Sequence, residues 1–522
     1  MLLKRTSILA TVFVLVFFST RIPRLQNDEI NPDAVNWHYR SEQFVVGIKH
    51  NLLEKTYQHY HPGVTLMWIT GIPIELYKQI TGINVYTHEN FLTFHFVAKL
   101  SLVVVQAVLS VLVLFYLTKI IGFAKAFLTI FIFSMEPFVL GNSRLFHMDL
   151  IFTLFTFLGL ITSFLYIDTR KIIYTVLTGA FISLAFLTRS IGIGQLLFVL
   201  GFGGLALLIQ IKNFKSVWQY ISLVLIVFIG FTFLLFPALW KNPVYVMSDI
   251  FSEAQRIGLE DGHNQIFFGK KTQNPGILFY PIVLLLKISP FVLIGLAGYL
   301  FKIINILRKK EENNIKLVGA TKKIGFVTFL LVYYLGYFSV MIYSSKKLDR
   351  YMLTVFPLLA YLSGYGYYYM YGFFTRARKL KFYIALSTLT FIVFVVVPLV
   401  KVFPYYFVYT SPLFGSAQNA NKIVGQKPFG IGIPDLLKFL DTRYGPDVNL
   451  GFIDTKPMRA IYPNSKVFDI RVDGASNYDL LILGINEEIP DDILDSAYTF
   501  NKTYSYYING LEYWRVYEKA SK

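Results

Sequence analysis

The amino-acid sequence predicts a mainly α-helical, polytopic membrane protein, in which a bundle of about eleven transmembrane helices precedes a small extracytoplasmic α/β domain. Composition gives the first indication, because hydrophobic residues make up 55% of the 522 residues and charged residues only 15%. Soluble domains usually carry about 25% charged residues. Long apolar runs, and the basic residues between them, give the second and third indications. A water-soluble globular enzyme and a disordered chain are both excluded.

The apolar runs set the number of predicted spans. A membrane helix needs roughly 20 mostly apolar residues, within a range of about 17–25. Runs near this length cover residues 7–20, 95–118, 123–141, 149–167, 172–188, 191–211, 217–237, 278–301, 324–343, 351–373 and 382–402. The first run is short and follows a basic start, so it also fits a cleaved signal peptide. In either case the segment after it lies outside.

Basic residues orient these spans. With the N-terminus inside, the inner loops carry a consistent excess of lysine and arginine, as the positive-inside rule requires. These residues are Lys119, Lys125, Arg170, Lys171, Lys212, Lys215, Arg308, Lys309, Lys310, Lys316, Lys322, Lys323, Arg376, Arg378, Lys379 and Lys381. The net charge of +18 therefore reflects membrane orientation and predicts no nucleic-acid partner. We expect an integral membrane protein (of the plasma membrane in a prokaryote) with a cytoplasmic N-terminus.

An odd number of spans places the C-terminal segment outside. Residues 1–402 form the predicted membrane domain, with outer loops at 21–94 and 238–277, and residues 403–522 form the extracytoplasmic domain. In that last segment proline and glycine separate short apolar runs from a helical stretch. This pattern predicts a small α/β domain, with a helix at 435–440 and strands at 448–453 and 480–483.

Motifs for soluble cofactors are missing from the sequence. The absence of cysteine excludes disulfides, thiolate nucleophiles and cysteine-ligated metals. His38, His59, His61 and His147 lack the tight spacing of a metal motif, so a divalent cation stays an open question. No glycine-rich phosphate loop or other nucleotide-binding pattern is present. No cofactor is certain, and an enzyme built on this chain would take a lipid-linked substrate in preference to a sugar nucleotide.

The turn at 344–350 breaks the charge rule. It places Lys346, Lys347 and Arg350 on the predicted outer face, where the positive-inside rule disfavours cations. One interpretation is a short loop in which these charges are tolerated. The other is an anion site, because Lys and Arg bind phosphate through charge-assisted hydrogen bonds. A lipid-linked phosphate lies at that depth of the membrane.

Ionisable residues also crowd the outer junction of two predicted spans. Arg144, His147 and Asp149 lie close together in the sequence there. Such groups are costly at membrane depth and usually mark a site or an ion pair. A structural Arg144–Asp149 pair is therefore the alternative to a functional role. Arg189 stands at another outer helix end, where it either snorkels to the interface or binds a ligand.

The first outer loop combines acids, histidines and aromatic residues. Asp28 and Glu29 are followed by the segments 32–40 and 57–68, both rich in histidine, tyrosine and tryptophan. Aromatic faces stack on sugar rings, and a carboxylate can act as a general base. The alternative is an interfacial aromatic belt with solvated acids.

In their order and on one predicted face, these elements resemble the glycosyltransferase family 39-like enzymes of the GT-C superfamily, which include protein O-mannosyltransferases and the aminoarabinose transferase of lipid A. The resemblance covers nearly the whole chain. It rests on Asp33 in 32–37, His61 in 61–68, Arg144 to Asp149, and Lys346, Lys347, Arg350 and Tyr351 before Pro357. Further fitting segments are 236–243, 262–263, 279–281, 411–417 and 430–432.

The chain departs from this family at the acidic motif. The usual Asp-Glu is Asp33-Ala34 here, whereas residues 28–29 form a literal Asp-Glu pair. Asp33 is the preferred base, because Trp37 and Arg40 follow it and because it lies closer to the His-Pro element.

The resemblance implies transfer of a hexosyl or related pentosyl unit from a polyprenyl-phosphate donor to an acceptor hydroxyl outside the membrane, with inversion. Asp33 would take the proton, while the cations of the 344–350 turn, with Arg144 and Arg189, would stabilise the leaving phosphate. Asp149 would orient Arg144 or help to hold a divalent ion. The implied substrate-binding residues are Trp37, Arg40, His61, Arg144, His147, Asp149, Arg189, His263, Lys346, Lys347, Arg350 and Tyr351. The acceptor, whether protein, glycan or lipid, is not specified.

Two other classes of protein also contain many spans. One is a transporter or flippase of lipid-linked saccharides, and the other is a membrane scaffold whose exported domain binds a partner. Transporters often show repeated halves, and none is visible here. The spans are nearly free of acids apart from Glu136, and the polar groups gather at one face. These features favour the transferase.

Overall fold

The computed structural model describes residues 2–259, 262, 264–312 and 324–521. A helical bundle with helical outer loops forms most of this part of the chain. Its helices are α1 (Leu2–Arg21), α2 (Pro32–Lys49), α3 (Val64–Thr81), α4 (Phe91–Ile121), α5 (Phe123–Met135), α6 (Pro137–Ser143), α7 (Asp149–Thr169), α8 (Ile172–Thr188), α9 (Ile193–Phe198), α10 (Gly204–Ile211), α11 (Phe214–Leu235), α12 (Ala238–Lys241), α13 (Pro243–Leu259), α14 (Phe279–Lys287), α15 (Pro290–Glu312), α16 (Phe326–Tyr343), α17 (Phe356–Arg376), α18 (Leu380–Phe391) and α19 (Val397–Val402).

The predicted polytopic bundle is confirmed. Within the described residues, seven helices are long and apolar enough to cross a membrane, and the bent pair α5–α6 makes an eighth. Thr6–Arg21 and α8 are shorter apolar helices. Each of the eleven predicted runs coincides with helix. The run 351–373 begins in a 3-10 helix (Asp349–Val355) and continues in α17. Helix α17 is not among the seven, because its tyrosines, glycines and serine lower its hydropathy.

Proline breaks two of the predicted spans. Pro137 begins α6, which is bent by 68° from α5, and Pro290 begins α15 directly after α14 ends. Proline lacks an N–H and disfavours helix in the preceding residue. The two breaks meet, because the buried carboxylate of Glu136 accepts hydrogen bonds from both N and Oγ of Ser289, each at 2.6 Å. This explains the isolated acid in the third apolar run.

The two predicted outer loops are folded against the bundle. In the first, α2 packs on α3 and α3 on α4. Ser41 and Thr70 share a hydrogen bond of 2.9 Å at the α2–α3 contact. The second outer loop ends in an antiparallel hairpin of β1 (Gln265–Phe267) and β2 (Lys270–Thr272).

The C-terminal segment forms the expected small α/β domain. Its helices are α20 (Ala417–Ile423), α21 (Ile433–Tyr444), α22 (Lys456–Arg459) and α23 (Asp491–Leu494), and its strands are β3 (Leu450–Phe452), β4 (Val467–Asp469), β5 (Leu480–Gly484), β6 (Tyr498–Ile508) and β7 (Leu511–Ser521). The sheet order is β4-β3-β5-β7-β6, in which β3 is parallel to β4 and β5, and β7 is antiparallel to β5 and β6. Strand β5 is buried throughout, as expected for a central strand.

This domain is joined to the first outer loop by backbone contacts. The Ile30 N–H donates to the Gly430 carbonyl at 3.1 Å, and the Gly432 N–H donates to the Asp28 carbonyl at 3.0 Å. A Cβ atom on Gly430 would lie 1.9 Å from the Ile30 carbonyl oxygen, so only glycine permits this approach. The domain is therefore held over the segment that leads into α2.

Close packing of α15 against α17 depends on Gly366. A Cβ atom at this position would lie 1.9 Å from the Gly295 carbonyl oxygen, whereas one at Gly372 on the same helix meets nothing within 4 Å. We expect Gly366→Ala to cost about 1–3 kcal/mol by overpacking. Gly372→Ala should be neutral or slightly stabilising, because alanine favours helix. Thermal unfolding of the detergent-purified variants measures both effects, and equal Tm values would contradict this prediction.

Candidate functional site

The N-terminus of α2 positions Asp33. Asn31 caps the helix, with its side-chain oxygen accepting a hydrogen bond from the Ala34 N–H at 2.7 Å, and Pro32 occupies the first helical position. Both residue types are typical of helix starts. Asp33 then lies in the first turn, where the helix dipole favours a carboxylate. Its side chain is 43% exposed, which leaves it accessible to a substrate.

Asp33 belongs to a cluster of five ionisable groups, which we call the charged cluster: Asp33, His147, Asp149, Arg189 and Arg350. His147 bridges the two acids, with Nε2 3.4 Å from Asp33 Oδ2 and Nδ1 3.0 Å from Asp149 Oδ2. Arg350 bridges them as well, since its Nη2 donates to Asp33 Oδ2 at 3.2 Å and its Nε lies 3.2 Å from Asp149 Oδ2. Arg189 pairs with Asp149 from the opposite side. Apart from Asp33, all of these side chains are at most 12% exposed.

The cluster shifts the protonation equilibria of its members. Burial alone would raise the pKa of Asp33, but the hydrogen bond and charge of His147, followed by the charge of Arg350, hold that pKa below its ordinary value. Burial alone would lower the pKa of His147, but the Asp149 carboxylate and then Asp33 raise it above its ordinary value. At neutral pH the Asp33 carboxylate is therefore ionised, and His147 is biased toward its charged form.

The turn at 344–350 separates its three cations. Lys347 is 3% exposed and its ammonium donates to the Ile342 and Ser344 carbonyls, so it closes the end of α16 and does not reach the charged cluster. Lys346 is half-buried and lines a groove beside Tyr351. Only Arg350 of the three contacts Asp33. The expected joint placement of the three cations is therefore wrong for Lys347, and a role of Lys346 and Arg350 in phosphate binding stays a prediction.

Arg144 does not join the charged cluster either. Its Nε donates to Asp28 Oδ2 at 2.6 Å, and its other nitrogens donate to the Arg21 and Pro23 carbonyls. Lys99 on α4 completes this second group by contacting both Asp28 and Glu29. The expected Arg144–Asp149 contact is therefore replaced by Arg144–Asp28, because Asp149 is already paired with Arg189.

The burial of this second group bears on the choice between the two candidate bases. Asp28 and Glu29 are 4% and 1% exposed, and both are paired with cations, whereas Asp33 is open to a cavity. The geometry favours Asp33, the residue preferred from the sequence.

Glu29 links the two segments that carry Asp33 and His147. One of its carboxylate oxygens accepts from the Asn31 N–H and side-chain amide at 2.7 Å, and the other accepts from the Phe146 N–H at 3.2 Å. Behind it, His95 bonds to the Glu29 carbonyl at 2.9 Å and to His38 at 3.1 Å. Sequence reasoning missed this support. The sequence feature that could have indicated it is the pair His95 and Lys99, which stand four residues apart on one face of an apolar helix.

The aromatic and basic residues of the first outer loop mostly pack among themselves. Trp37 is 2% exposed and touches Gly63, whose positive φ of 59° and missing side chain admit the ring, so it cannot stack on a sugar as expected. The Arg40 guanidinium lies 4.7 Å from the centre of the Trp37 ring. His61 lines the same groove as Lys346, and burial lowers its pKa well below the ordinary value, so it is neutral. His263 lies outside the described residues.

Two cavities flank the charged cluster. One, which we call the apolar groove, has a volume of about 600 Å³ and is lined largely by apolar side chains; Arg189, Lys346, His61, Tyr60 and Tyr351 line its polar part. The other, the polar cavity, has a volume of about 760 Å³. Asp33 and Arg350 line it from the bundle, and Gln426, Asp454, Arg471 and Glu487 line it from the C-terminal domain. The Arg189–Asp149–Arg350–Asp33 contacts connect the groove to the cavity.

Metal ligands are not grouped in the part of the chain that the structure describes: no set of three or more histidine, aspartate or glutamate side chains has a metal-holding arrangement there.

Comparison with solved structures identifies the fold. ArnT from Cupriavidus metallidurans bound to undecaprenyl phosphate is similar at 13% identity and a TM-score of 0.51, over 98% of this chain and 97% of that one. The apo structure of the same protein is similar at 13% identity and a TM-score of 0.52, over 97% of each chain. The archaeal oligosaccharyltransferase AglB from Archaeoglobus fulgidus, in complex with an inhibitory peptide and a dolichol-phosphate, gives 11% and 0.48, over 91% of this chain and 69% of that one.

No protein-family model matches the sequence, and no curated protein matches it. The similarity to ArnT confirms the expected GT-C fold. Assignment to family 39 and to mannosyl transfer stays a prediction.

The contacts of His147 predict a pH-dependent stability. A raised folded pKa means that His147 stabilises the fold fully below its unfolded pKa of about 6.5, and that this contribution is lost as pH rises through the folded value. Asp33 behaves oppositely, because its stabilising effect is lost only as pH falls below about 3.9. We therefore expect His147→Gln to lower the Tm more at pH 5.5 than at pH 8.5, when variant and wild type are compared at each pH.

The control for this measurement is His88→Gln, which changes an exposed histidine of the first predicted outer loop, away from the charged cluster. It should show no pH-dependent difference. An equal loss of Tm at both pH values in His147→Gln would contradict the assigned contacts.

The contacts of Glu29 predict that it holds both halves of the charged cluster in place. Removing one member of a buried ion pair typically costs about 3–5 kcal/mol. We expect Glu29→Gln to lower the Tm and to increase amide hydrogen exchange in the segments 31–36 and 144–148, measured by mass spectrometry. Glu89→Gln, at an exposed position, is the control. Unchanged exchange in either segment would show that Glu29 does not link them.

Proposed function

We propose that this protein is an inverting membrane glycosyltransferase, which moves a sugar from a polyprenyl-phosphate donor to an acceptor hydroxyl on the extracytoplasmic side. One observation carries the proposal: the accessible Asp33 carboxylate stands where the apolar groove and the polar cavity are joined by the charged cluster. A reaction between a lipid-borne donor and a hydrophilic acceptor needs two such compartments with a base between them.

The donor would occupy the apolar groove. Its apolar lining suits an isoprenoid tail, and Arg189 and Lys346 at its polar part suit the phosphate. Lys346 has no carboxylate partner among the described residues, so its charge is available to a ligand. The similar ArnT structure is that of a protein bound to undecaprenyl phosphate, which supports the same donor class here.

The acceptor would enter through the polar cavity and reach Asp33. Its hydroxyl oxygen attacks the anomeric carbon, the bond from that carbon to the phosphate oxygen breaks, and the hydroxyl proton passes to Asp33. A positioned base typically contributes about 10²–10⁴-fold to the rate. The lowered pKa of Asp33 keeps it ionised, so it takes the proton only as the attacking hydroxyl becomes acidic during bond formation.

The leaving polyprenyl phosphate gains negative charge as the bond breaks. Fixed cations that meet this charge stabilise the transition state more than the ground state. Arg350 is suited to this role, because it contacts Asp33 and lines the polar cavity while its Nε faces Asp149. Asp149 and His147 hold Arg189, Arg350 and Asp33 in relative position, so they act as positioning residues.

Orientation in the membrane follows from this assignment. The N-terminus would be cytoplasmic, and the C-terminal domain, which forms the outer wall of the polar cavity, would meet the acceptor. Whether the transferred unit is a hexose or a pentose, and whether the acceptor is protein, glycan or lipid, stays a prediction from family resemblance.

Asp33→Asn tests the proposed base. We expect it to lower transfer from radiolabelled polyprenyl-phosphate sugars by about 10²–10⁴-fold, because the amide cannot accept the proton. The matched control is Glu42→Gln on the same helix, which removes a carboxylate paired with Lys78 and not with the cluster. Size-exclusion profiles confirm that both variants fold.

Transfer by Asp33→Asn at the wild-type rate would refute the role of this carboxylate. A different outcome is that well-folded wild-type protein moves the labelled donor across the bilayer of vesicles and transfers no sugar. That outcome would refute the proposed transferase activity and favour a flippase.

A further inference from the structure

A third cavity lies at the other end of the bundle. It has a volume of about 250 Å³ between α15 and α17, and its lining includes Lys302, Tyr365, Tyr368, Tyr369, Phe373 and Arg376. Helix α17 begins shortly after Arg350 and runs for 21 residues to Arg376, which is about 30 Å at 1.5 Å per residue. The hydrocarbon core of a bilayer is also about 30 Å thick. The Arg376 end of the cavity therefore lies about one bilayer thickness from the start of α17, near which Arg350 contacts Asp33.

Two cations, Lys302 and Arg376, line this cavity, and a third, Lys125, lies beside it against Tyr365. The Lys302 ammonium lies 3.9 Å from the centre of the Tyr365 ring, and the Lys125 ammonium lies 4.8 Å from the same ring. Arg376, at the end of α17, is exposed and lines the opening. No carboxylate lines the cavity, and within the described ranges none of these cations has an ion-pair partner. Tyrosine faces stabilise an ammonium only in part, so the site keeps a net positive charge.

The cavity is bordered by surface that suits acyl chains. Phe301 and Phe373, whose ring centres are 5.6 Å apart, are 40% and 45% exposed. Leu300 and Ile304 on the same turn region of α15 are 59% and 47% exposed. Positive-inside bias alone accounts for scattered basic residues in the loops. It does not account for a lysine that lines a cavity together with tyrosine rings and an apolar border.

We propose that this cavity binds the phosphate-bearing headgroup of an anionic phospholipid from the leaflet opposite to Asp33. The phosphate contacts Lys302 and Arg376, and the acyl chains lie along Phe301 and Phe373. Basic cavities between transmembrane helices are suited to such headgroups. The assignment is independent of the proposed transferase, because the cavity shares no residue with the groove, the polar cavity or the charged cluster.

Native mass spectrometry of the purified full chain tests the assignment. Phosphatidylglycerol and phosphatidylcholine with identical acyl chains are titrated separately into wild type and into the Lys302→Gln/Arg376→Gln double variant. Wild type should retain phosphatidylglycerol preferentially. Two lost charges should weaken its binding about thirtyfold and leave phosphatidylcholine unchanged. Lys302→Arg should retain the preference, which separates loss of charge from loss of fold.

The matched control is Lys171→Gln/Lys381→Gln, which removes two exposed cations at the same predicted membrane face but outside the cavity. It should bind phosphatidylglycerol like wild type. Equal losses in both double variants would show a diffuse surface charge and overturn the site. Excess inorganic phosphate should not displace the lipid. If phosphate displaces the lipid, and if binding of phosphate also depends on Lys302 and Arg376, the cavity binds a soluble anion. That result would overturn the proposed lipid site.

Discussion

Charge neutralisation at the end of an apolar bundle is the constraint on which the rest of the structure depends. Asp149 is buried, and unpaired it would be costly in a medium of low dielectric constant. Arg189, Arg350 and His147 all meet it, and two of them also meet Asp33. Four separate parts of the chain must therefore converge at one point: the start of α2, the α6–α7 loop, the end of α8 and the 344–350 turn.

A second buried charge group makes that convergence rigid. Asp28 and Glu29 are neutralised by Lys99 and Arg144, and Glu29 bonds to backbone on both sides of the charged cluster. The C-terminal domain is attached to the same segment, through the hydrogen bonds of Ile30 and Gly432. The floor and the outer wall of the polar cavity are thus fixed to one another. A cavity held from both sides keeps a constant geometry around Asp33, as the proposed transfer to an acceptor would require.

Much of the candidate site could be predicted from the sequence, because ionisable residues are costly at membrane depth and usually mark a site or an ion pair. His147, Asp149, Arg189 and Arg350 stand at predicted outer helix ends, and Asp33 is indicated by the family resemblance. These five residues meet in the structure. Lys347 and Arg144 looked equivalent to them, yet one caps carbonyls and the other pairs with Asp28. Sequence position gives the membrane depth of a charge and leaves its partner open.

By itself, the sequence determined the class of the protein: a polytopic helical bundle, the regions that form helix, and a small C-terminal α/β domain. The apolar content and the spacing of apolar residues are properties of local sequence, so they can be determined without a structure. Tertiary structure alone decided that two proline breaks meet through Glu136, that Trp37 is buried against Gly63, and that Asp33 and not Asp28 is accessible. Each of these depends on which distant segments pack together, and burial and ion pairing are set by that packing.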